Sequence, residues 1–450
     1  MNLIEKEFLV PYNVGRPSSL LSYLTHQVFK VLSANEIPVR FVITNTSNDG
    51  FNCELGIMCC QNIHIQNTEN SIFTFNKRSQ ENTDKFTAVL LIPTGIGAEI
   101  GGHCGDGNAV ARLIASACDT LITHPNVVNA SDINEMTDNT LYVEGSILTR
   151  LFMGQIGLKK PHSNRILMLM DKHEDQLFND EIVNAVSSAR ISLGIDCDVY
   201  EMDNLINSES LYSQSGRAVG KIENLENLFN ILDKHVNKYD AIGLSTFIKV
   251  PEHYHKNYFS NDDMINPWGG IEAMLTHSIA EKYKLPCAHS PMMASREIME
   301  IEVGVVDPRK APESASITYL HCILKGLHRS PRITSTDKGI NIDNISCLII
   351  PYGCIGLPTL SALENGIPVI AVKENRNRME NRLEEFPFRH NKLFVVENYL
   401  EAVGVMNAIK AGISIDTIRR PLAYTKIINK ASTENTSSVS SIDHVKSSIY

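Results

Sequence analysis

The sequence lacks several features that assign a chain to a class at once. It has no run of about 18 or more apolar residues, which argues against a membrane-spanning helix. Its first residues do not combine a charged lead with a long apolar stretch, so we expect no signal peptide and a cytoplasmic protein. The ten cysteines include no Cys-x-x-Cys pair, which opposes a structural zinc site and favours reduced thiols.

Signals for common cofactors and nucleic acid are also missing. The 51 acidic residues outnumber the 41 basic ones, and the net charge of −10 opposes nucleic-acid binding. The spacing Gly95-x-Gly97-x-x-x-Gly101 is one residue longer than the dinucleotide fingerprint, and no Gly-Lys-Ser/Thr motif is present. We therefore disfavour nicotinamide, ATP, nucleic acid and membranes as partners. The sequence leaves a divalent metal and a homo-oligomer open.

A long alternation of strand-like and helix-like segments is present instead. With 43% hydrophobic and 20% charged residues, the 450-residue chain is typical of a folded, soluble protein with two or three lobes. From residue 85 onward the strand candidates are short continuous apolar runs, as in parallel strands buried on both faces. We predict an α/β fold with doubly wound, mostly parallel sheets in one or two lobes. The predicted strands are Ala88–Ile92, Thr120–Thr123, Leu141–Val143, Arg165–Met170, Asp198–Glu201, Ala241–Thr246, Pro286–His289, Cys347–Pro351, Pro368–Val372 and Leu393–Val396.

The composition also predicts domain boundaries. Residues 1–84 are expected to form a small N-terminal α+β lobe that ends in a polar linker over 64–84. Residues 85–428 are expected to form the main α/β domain, with a hinge near residue 172 or residue 335. The Ser/Thr-rich residues 429–450 are predicted to be a disordered tail.

A glycine-rich loop follows the first strand of the main domain. Glycine adds no side-chain packing, so six glycines between residues 95 and 107 indicate sharp turns or close approach to a ligand. Ligands of parallel sheets bind beyond the carboxyl ends of the strands. We therefore expect the backbone of this loop and the next helix start to hold an anion. The glycines predicted to bind the ligand are Gly95, Gly97, Gly101 and Gly102.

Polar residues follow three successive predicted strands. A histidine beside a carboxylate suits proton transfer near neutral pH, and the same residues could bind a divalent metal. In structural interpretations, Asp106 or Asn108 caps a helix and Asp132 caps a turn. The predicted catalytic residues are His103, Asp106, His124, Asp132 and Glu144, and two ligand-binding candidates nearby are Asn126 and Asn129.

Further ligand-binding candidates lie in the second half of the chain. Trp268 could stack on a ligand or fill a gap in the core. Arg309 could bind a carboxylate or phosphate, or pair with Asp307 or Glu302. Cys354, in a glycine turn at a helix start, is expected to have a lowered thiol pKa. The full set is Asn266, Trp268, Arg309, Cys354, Glu374 and Asn375. We interpret Glu272 as a helix-dipole partner. His253, His255, His277, His321 and His328 are interpreted as ordinary histidines.

Several motifs in order carry a resemblance to a known family. PTGIGAEIGGHCGD, THPNVVNASD, LYVEGS, NPWGGIEA, PCAHSP, VVDPR and IPVIAVKENR lie between about residues 86 and 380. Together they resemble an uncharacterised bacterial family of the domain-of-unknown-function type, known from cyanobacteria and other bacteria. The resemblance implies a cytoplasmic bacterial protein and favours an enzyme, but it transfers no catalytic residue.

A second resemblance concerns the turn at Gly353-Cys354-Ile-Gly356. This turn, followed by Gly366-Ile-Pro-Val, is similar to the second half of amino-acid racemases of the aspartate/glutamate type, which use two cysteines from two lobes. The matching first-lobe turn would be Thr44-Asn45-Thr46, which lacks the cysteine.

These patterns favour an enzyme that acts on a small anionic metabolite by His/carboxylate acid–base chemistry. His103, Asp106 and His124 would transfer protons, and the glycine loop would hold the anion, with help from Arg309. A lyase, isomerase or hydrolase is favoured over an oxidoreductase. The alternatives are a metal-dependent hydrolase or lyase, a non-catalytic metabolite sensor, and racemase-like thiol chemistry at Cys354.

Overall fold

A computed structural model describes residues 1–12, 19–60, 71–129, 136–203, 206–260, 263–314, 319–425 and 427. The strands are β1 Asn2–Pro11, β2 Glu36–Thr46, β3 Gly50–Cys59, β4 Thr87–Leu90, β5 Thr120–Thr123, β6 Thr140–Tyr142, β7 Gly157–Lys159, β8 Arg165–Asp171, β9 Asp196–Met202, β10 Asn207–Tyr212, β11 Ala218–Glu223, β12 Ala241–Ser245, β13 Cys287–His289, β14 Arg332–Thr334, β15 Ile345–Pro351, β16 Ile355–Gly356, β17 Val369–Val372 and β18 Leu393–Val396. The helices are α1 Leu20–Val31, α2 Asn108–Ser116, α3 Pro125–Val128, α4 Gly145–Phe152, α5 Gln176–Leu193, α6 Leu225–His235, α7 Glu252–Ser260, α8 Gly269–Tyr283, α9 Arg296–Met299, α10 Ala311–Ser314, α11 Leu320–Arg329, α12 Leu357–Asn365, α13 Tyr399–Lys410 and α14 Ile415–Ile418.

The central sheet is parallel and has the order β18-β17-β15-β4-β5-β6. Its strands are the predicted apolar runs, and β4, β15 and β17 are buried along their whole length. Helices α2 and α13 pack together, as do α4 and α12. The chain moves outward in opposite directions from β4 and β15, so the crevice between their carboxyl ends is a topological switch point. The α/β prediction is confirmed.

A second parallel sheet has the order β13-β12-β8-β9. Helices α5 and α11 pack against each other and against its strands. Helix α8 contacts β13 from the side of the antiparallel sheet described next. The carboxyl ends of β5, β6 and β13 thus lie near the N-terminal half of α8, where the site is found.

The third large sheet is antiparallel and has the order β10-β11-β1-β3-β2-β16. Residues 1–59 supply only three of its strands, and the hairpin β10–β11 and the short β16 come from the predicted main domain. The described part of the predicted linker is also packed, because Ile72 and Phe73 are buried. Part of the predicted linker is therefore anchored in the core, and its residues 64–70 lie outside the described residues.

Two buried ion pairs cross-link this antiparallel sheet. Arg40 on β2 pairs with Glu5 on β1, and Arg217 pairs with Glu54 on β3. The Arg217 and Glu54 side chains are only 2% and 3% exposed. Ser213 and Ser215 also donate hydrogen bonds to Glu54 Oε1, at 2.9 Å and 2.5 Å. Each buried charge therefore has an opposite charge beside it, as burial requires.

Candidate functional site

One polar cavity gathers residues from both parallel sheets and from α8. We call it the histidine cavity, and its volume is about 760 Å³ including the solvent-open mouth. His103, His124 and Glu144, predicted to be catalytic, all line it. Asp106 is not among the lining residues, and Asp132 lies outside the described residues. The polar lining consists of Thr94, His103, His124, Asn126, Asn129, Glu144, Asn266, Glu272, Thr276, His277 and His289.

His103 is oriented by a chain of two further side chains. Its Nδ1 lies 2.7 Å from Tyr258 Oη, and Tyr258 Oη donates to Glu313 Oε1 at 2.8 Å. With Glu313 ionised, Tyr258 gives its one proton to Glu313, so His103 Nδ1 donates to Tyr258 Oη and His103 Nε2 is unprotonated. Burial, reinforced by the positive charges of Lys310 and Arg309, lowers the pKa of His103 to about 4. His103 is therefore a neutral, oriented base.

In His124 the ring nitrogen that has a partner is Nε2, whereas in His103 it is Nδ1. His124 follows β5, and the backbone N–H of Ile92 donates to its Nε2 at 3.2 Å. The ring proton is consequently on Nδ1. Burial lowers the pKa of His124 to about 4, so the ring stays neutral at physiological pH. This geometry suits a hydrogen-bond donor to developing negative charge, whereas the sequence predicted that His124 transfers a proton.

Glu144 caps helix α4 with one oxygen and presents the other to α8. Its Oε2 accepts hydrogen bonds from the backbone of Ser146 and Ile147, at 2.9 Å and 3.1 Å. Its Oε1 lies 3.3 Å from Thr276 Oγ1 and 3.5 Å from His277 Nε2. Burial raises the pKa of Glu144 to about 6, although the capping bonds oppose this. Its ionisation therefore changes close to physiological pH.

His277 is the main residue that sequence reasoning missed, because it was interpreted as ordinary. Only 11% of its side chain is exposed, and neither ring nitrogen has a hydrogen-bond partner among the described residues. Burial, with a contribution from Arg40, lowers its pKa to about 3. A buried imidazole without partners is costly unless something binds it. One feature of the sequence could have pointed to His277. It lies five residues after Glu272, in the helix that follows the Asn-Pro-Trp-Gly-Gly turn.

His289 and Glu272 form a second pair that was not predicted. His289 ends β13, and its Nε2 lies 2.9 Å from Thr246 Oγ1 at the end of β12. Its Nδ1 is 3.7 Å from Glu272 Oε2 in the first turn of α8. The side chain of Glu272 is 24% exposed, so it reaches solvent in the cavity as well as lying at a helix start. The second parallel sheet therefore contributes to the same site.

Five backbone amides of the glycine loop donate hydrogen bonds within the protein. The N–H groups of residues 99, 100, 101, 103 and 104 all donate to protein oxygens. Asp106 Oδ1 accepts from Gly101 at 2.9 Å and from His103 at 3.4 Å, while Asn375 Oδ1 accepts from Ile100. These five amides have internal partners, so they do not supply free donors for an anion, and binding of an anion by the loop stays a prediction. Gly95 and Gly102 do line the histidine cavity, whereas Gly97 lines a separate surface pocket.

Other predicted ligand-binding residues have structural partners. Asn126 Nδ2 donates to the carbonyls of Ile92 and Gly101, at 3.0 Å and 2.7 Å. Asn375 is fully buried and clamps Ile100 through both ends of its amide. Arg309 forms ion pairs with Asp307 and Glu99, so the structural interpretation with Asp307 is the observed one.

Three further candidates border the histidine cavity or the pocket beside it, and one does not. Asn266 Oδ1 caps the start of α8 through Trp268 N and Gly269 N, while Asn129 Oδ1 accepts from Tyr142 Oη. Trp268 packs edge-on against His255 and Tyr258, in an apolar pocket that adjoins the cavity. Glu374 is exposed and does not line the histidine cavity.

Cys354 is buried, and the expected lowering of its thiol pKa is wrong. Burial raises the pKa of this thiol far more than the nearby Arg217 charge lowers it. The thiol also donates to Asn377 Oδ1 at 3.9 Å. A raised pKa is the opposite of what thiolate chemistry requires.

The described part of the chain lacks both a cluster of metal ligands and a membrane-spanning helix. No three side chains among His, Cys, Asp and Glu are grouped closely enough there to hold a metal ion. None of the described helices is both long and apolar enough to cross a bilayer.

Comparison with known proteins places this site in a family. Residues 87–419 match the model described as "Protein of unknown function (DUF3326)". The chain belongs to the DUF3326 family. An uncharacterized lipoprotein of Synechococcus sp. is similar to it, with 32% identity over 337 residues that cover 73% of this chain and 91% of the relative. No solved structure matches the chain. The expected membership of an uncharacterised family is confirmed.

Asp106, in the glycine loop within the DUF3326 match, is expected to make the stability of the fold depend on pH. Burial raises the pKa of Asp106 from near 4 to about 7, and its Oδ2 has no hydrogen-bond partner among the described residues. Between these pH values the folded chain retains a proton that the unfolded chain releases, so this group makes stability fall as pH rises from about 4 to about 7.

We expect Asp106→Asn to flatten that slope, because the amide keeps the oxygen that accepts from Gly101 and never ionises. The unfolding midpoint measured by calorimetry from pH 5 to pH 8 checks this. An unchanged slope would show that Asp106 is not the titrating group, and Asp343→Asn, a partly exposed residue, is the matched control.

Proposed function

We propose that this DUF3326 protein is an enzyme that transfers protons on a small metabolite bound in the histidine cavity. The observation that carries the proposal is the Glu313–Tyr258–His103 chain, which orients a neutral imidazole base. Glu144, an ionisable carboxyl, lines the same cavity. A positioned base and a second acid–base group are what proton transfer requires.

The roles follow from the protonation states. His103 Nε2 would accept a proton from the substrate, since its Nδ1 is committed to Tyr258. His124 Nδ1–H would donate a hydrogen bond to the negative charge that develops, because its Nε2 is committed to Ile92. Glu144 Oε1, as the carboxylate close to His277, would accept a proton from a substrate hydroxyl. The protonated His103 and Glu144 would then return the two protons to the product, so the substrate gains and loses the same number. None of these steps needs a hydride acceptor, which favours a lyase or isomerase over an oxidoreductase.

Proton abstraction can be detected before the overall reaction is known. We expect the full chain to catalyse exchange of a carbon-bound proton for deuterium in D2O. The probes are panels of 2-hydroxy, 2-oxo and 2-amino acids and of dicarboxylates, and ¹H NMR follows the loss of signal. No exchange with any panel would contradict the proposal. If some members still raised the unfolding midpoint, the result would support the sensor alternative.

The same assay has an expected pH dependence. If Glu144 accepts a proton as the carboxylate, the rate falls about tenfold per pH unit as pH drops below about 6, the pKa of this group. His103, with a pKa of about 4, adds no change above pH 5. Glu144→Gln keeps an oxygen for the α4 cap but should slow exchange and remove this acid limb. A limb that persists in Glu144→Gln would assign it to another group.

The proposed location is the cytoplasm. All ten cysteines are free, which supports a reducing compartment. The Synechococcus relative is named a lipoprotein, and a lipid-anchored location is therefore the alternative for this chain.

A further inference from the structure

A second cavity lies at the topological switch point between β4 and β15. We call it the switch-point cavity, and its volume is about 860 Å³ including its mouth. The antiparallel sheet covers it, and most of its lining is apolar. That lining includes Val39, Phe41, Leu91, Ile350, Leu357 and Met379. His124 and His277 line both cavities, which therefore adjoin.

Helix α12 begins in the wall of this cavity. Gly356, Leu357, Pro358 and Thr359, its first residues, all line it. Gly356 is the N-cap residue and has no side chain to accept a hydrogen bond from the first turn, so the helix lacks a side-chain cap. An uncapped helix start presents N–H groups and the positive end of the helix dipole to whatever lies beside it.

Two buried arginines in the cavity wall are independent evidence that a hydrogen-bond acceptor binds there. Arg217 lines the switch-point cavity and is 2% exposed, yet its Nε has no hydrogen-bond partner among the described residues. Arg40 lines the same cavity with a side chain 12% exposed, and its Nε is unpartnered in the same sense. Arg40 uses Nη2 and Arg217 uses Nη1 for its glutamate, and the Nε–H of each has no hydrogen-bond partner among the described residues. Buried donors of this kind cost stability unless a ligand accepts from them.

We infer that the switch-point cavity binds the carboxylate of a small acid that has a branched or aromatic apolar body. The carboxylate accepts from the Nε edge of Arg217 or Arg40 and from the start of α12, and the apolar body occupies the rest of the lining. Because Glu5 and Glu54 already balance the two guanidiniums, a bound anion would be held by the Nε–H donors and the start of α12 rather than by net positive charge, and this limits it to a single negative charge. A phosphate would bring a second charge and an additional oxygen into mostly apolar surroundings, which is unfavourable.

This inference does not depend on the catalytic proposal, and simple probes test it on the full chain. We expect 4-methylpentanoate to raise the unfolding midpoint and to give a saturable calorimetric binding isotherm. The isosteric 4-methylpentanamide and inorganic phosphate should do neither. Equal stabilisation by the amide would overturn carboxylate recognition, stabilisation by phosphate alone would overturn the apolar body, and no binding of 4-methylpentanoate would overturn the site.

A paired variant separates the site from the fold. Glu54→Gln with Arg217→Met removes both charges together, which leaves no unpaired buried ion. We expect it to weaken 4-methylpentanoate binding about tenfold or more, the worth of a hydrogen bond to a charged group. The matched control is Glu281→Gln with Arg150→Met, a buried pair that does not line this cavity. Equal weakening in both variants would overturn the role of Arg217. His103→Gln should bind normally even if catalysis is absent.

Discussion

Replacing His103 with glutamine is expected to lower the rate of substrate proton exchange by about two to four orders of magnitude. Glutamine can still donate a hydrogen bond to Tyr258 Oη, but it has no basic nitrogen to accept a proton. The histidine is buried and neutral, so this exchange of polar side chains removes no charge from the folded chain. The exchange rate should collapse while the unfolding midpoint changes little.

Two further variants make the His103 result specific. His253→Gln changes an exposed histidine outside the cavity and should leave the exchange rate unchanged. Tyr258→Phe breaks the link between His103 and Glu313, so it should reduce the rate without abolishing it. Full activity in His103→Gln would reject this histidine as the base. Loss of folding in that variant would assign it a structural role.

Replacing Arg217 alone with methionine is expected to lower the free energy of unfolding by about 3–5 kcal/mol. The substitution leaves Glu54 buried beside two serine hydroxyls but without a cation to pair with. Adding Glu54→Gln to the same chain should recover most of the loss, because the orphaned charge is then removed. The non-additivity of the two changes measures the coupling between them.

Chemical denaturation of the four chains measures this cycle. The control is Arg165→Met, which breaks an ion pair with Asp198 that is about half exposed. We expect that loss to stay below about 1 kcal/mol, since solvent screens such pairs. If Arg217→Met were no less stable than the double variant, the buried glutamate would carry no penalty and the account of the antiparallel sheet would be wrong.

The parallel strands could be predicted because burial on both faces leaves a continuous apolar run in the sequence. Thr120–Thr123 and Leu393–Val396 were predicted with the bounds observed. The hairpin β10–β11 was not predicted, since Asn207–Tyr212 is half exposed and reads as a polar loop. Its pairing with β1 joins positions more than 200 residues apart, and no local pattern encodes that contact.

The residues of the histidine cavity also divide into those that the sequence could predict and those that it could not. His103, His124 and Glu144 could be predicted because each follows a strand whose carboxyl end lies at a common edge. His277 could not, because α8 is largely apolar around it and only the meeting of α8 with the sheets gives its ring a cavity. The glycine loop was expected to bind an anion, yet acceptors such as Asn375, far away in sequence, occupy its amides. Local spacing cannot reveal such distant partners.

The antiparallel sheet is built from three separate stretches of the chain: β1 to β3, the hairpin β10–β11, and β16. This arrangement limits where the chain can be shortened. A fragment beginning at residue 87, where the family match starts, would lack β1. The freed backbone groups of β11 would then form an exposed sheet edge, and the part of α8 that packs on β2 would face water. Such a truncated polypeptide would be prone to self-association, so the unit that must be expressed intact is longer than the region by which its relatives are recognised.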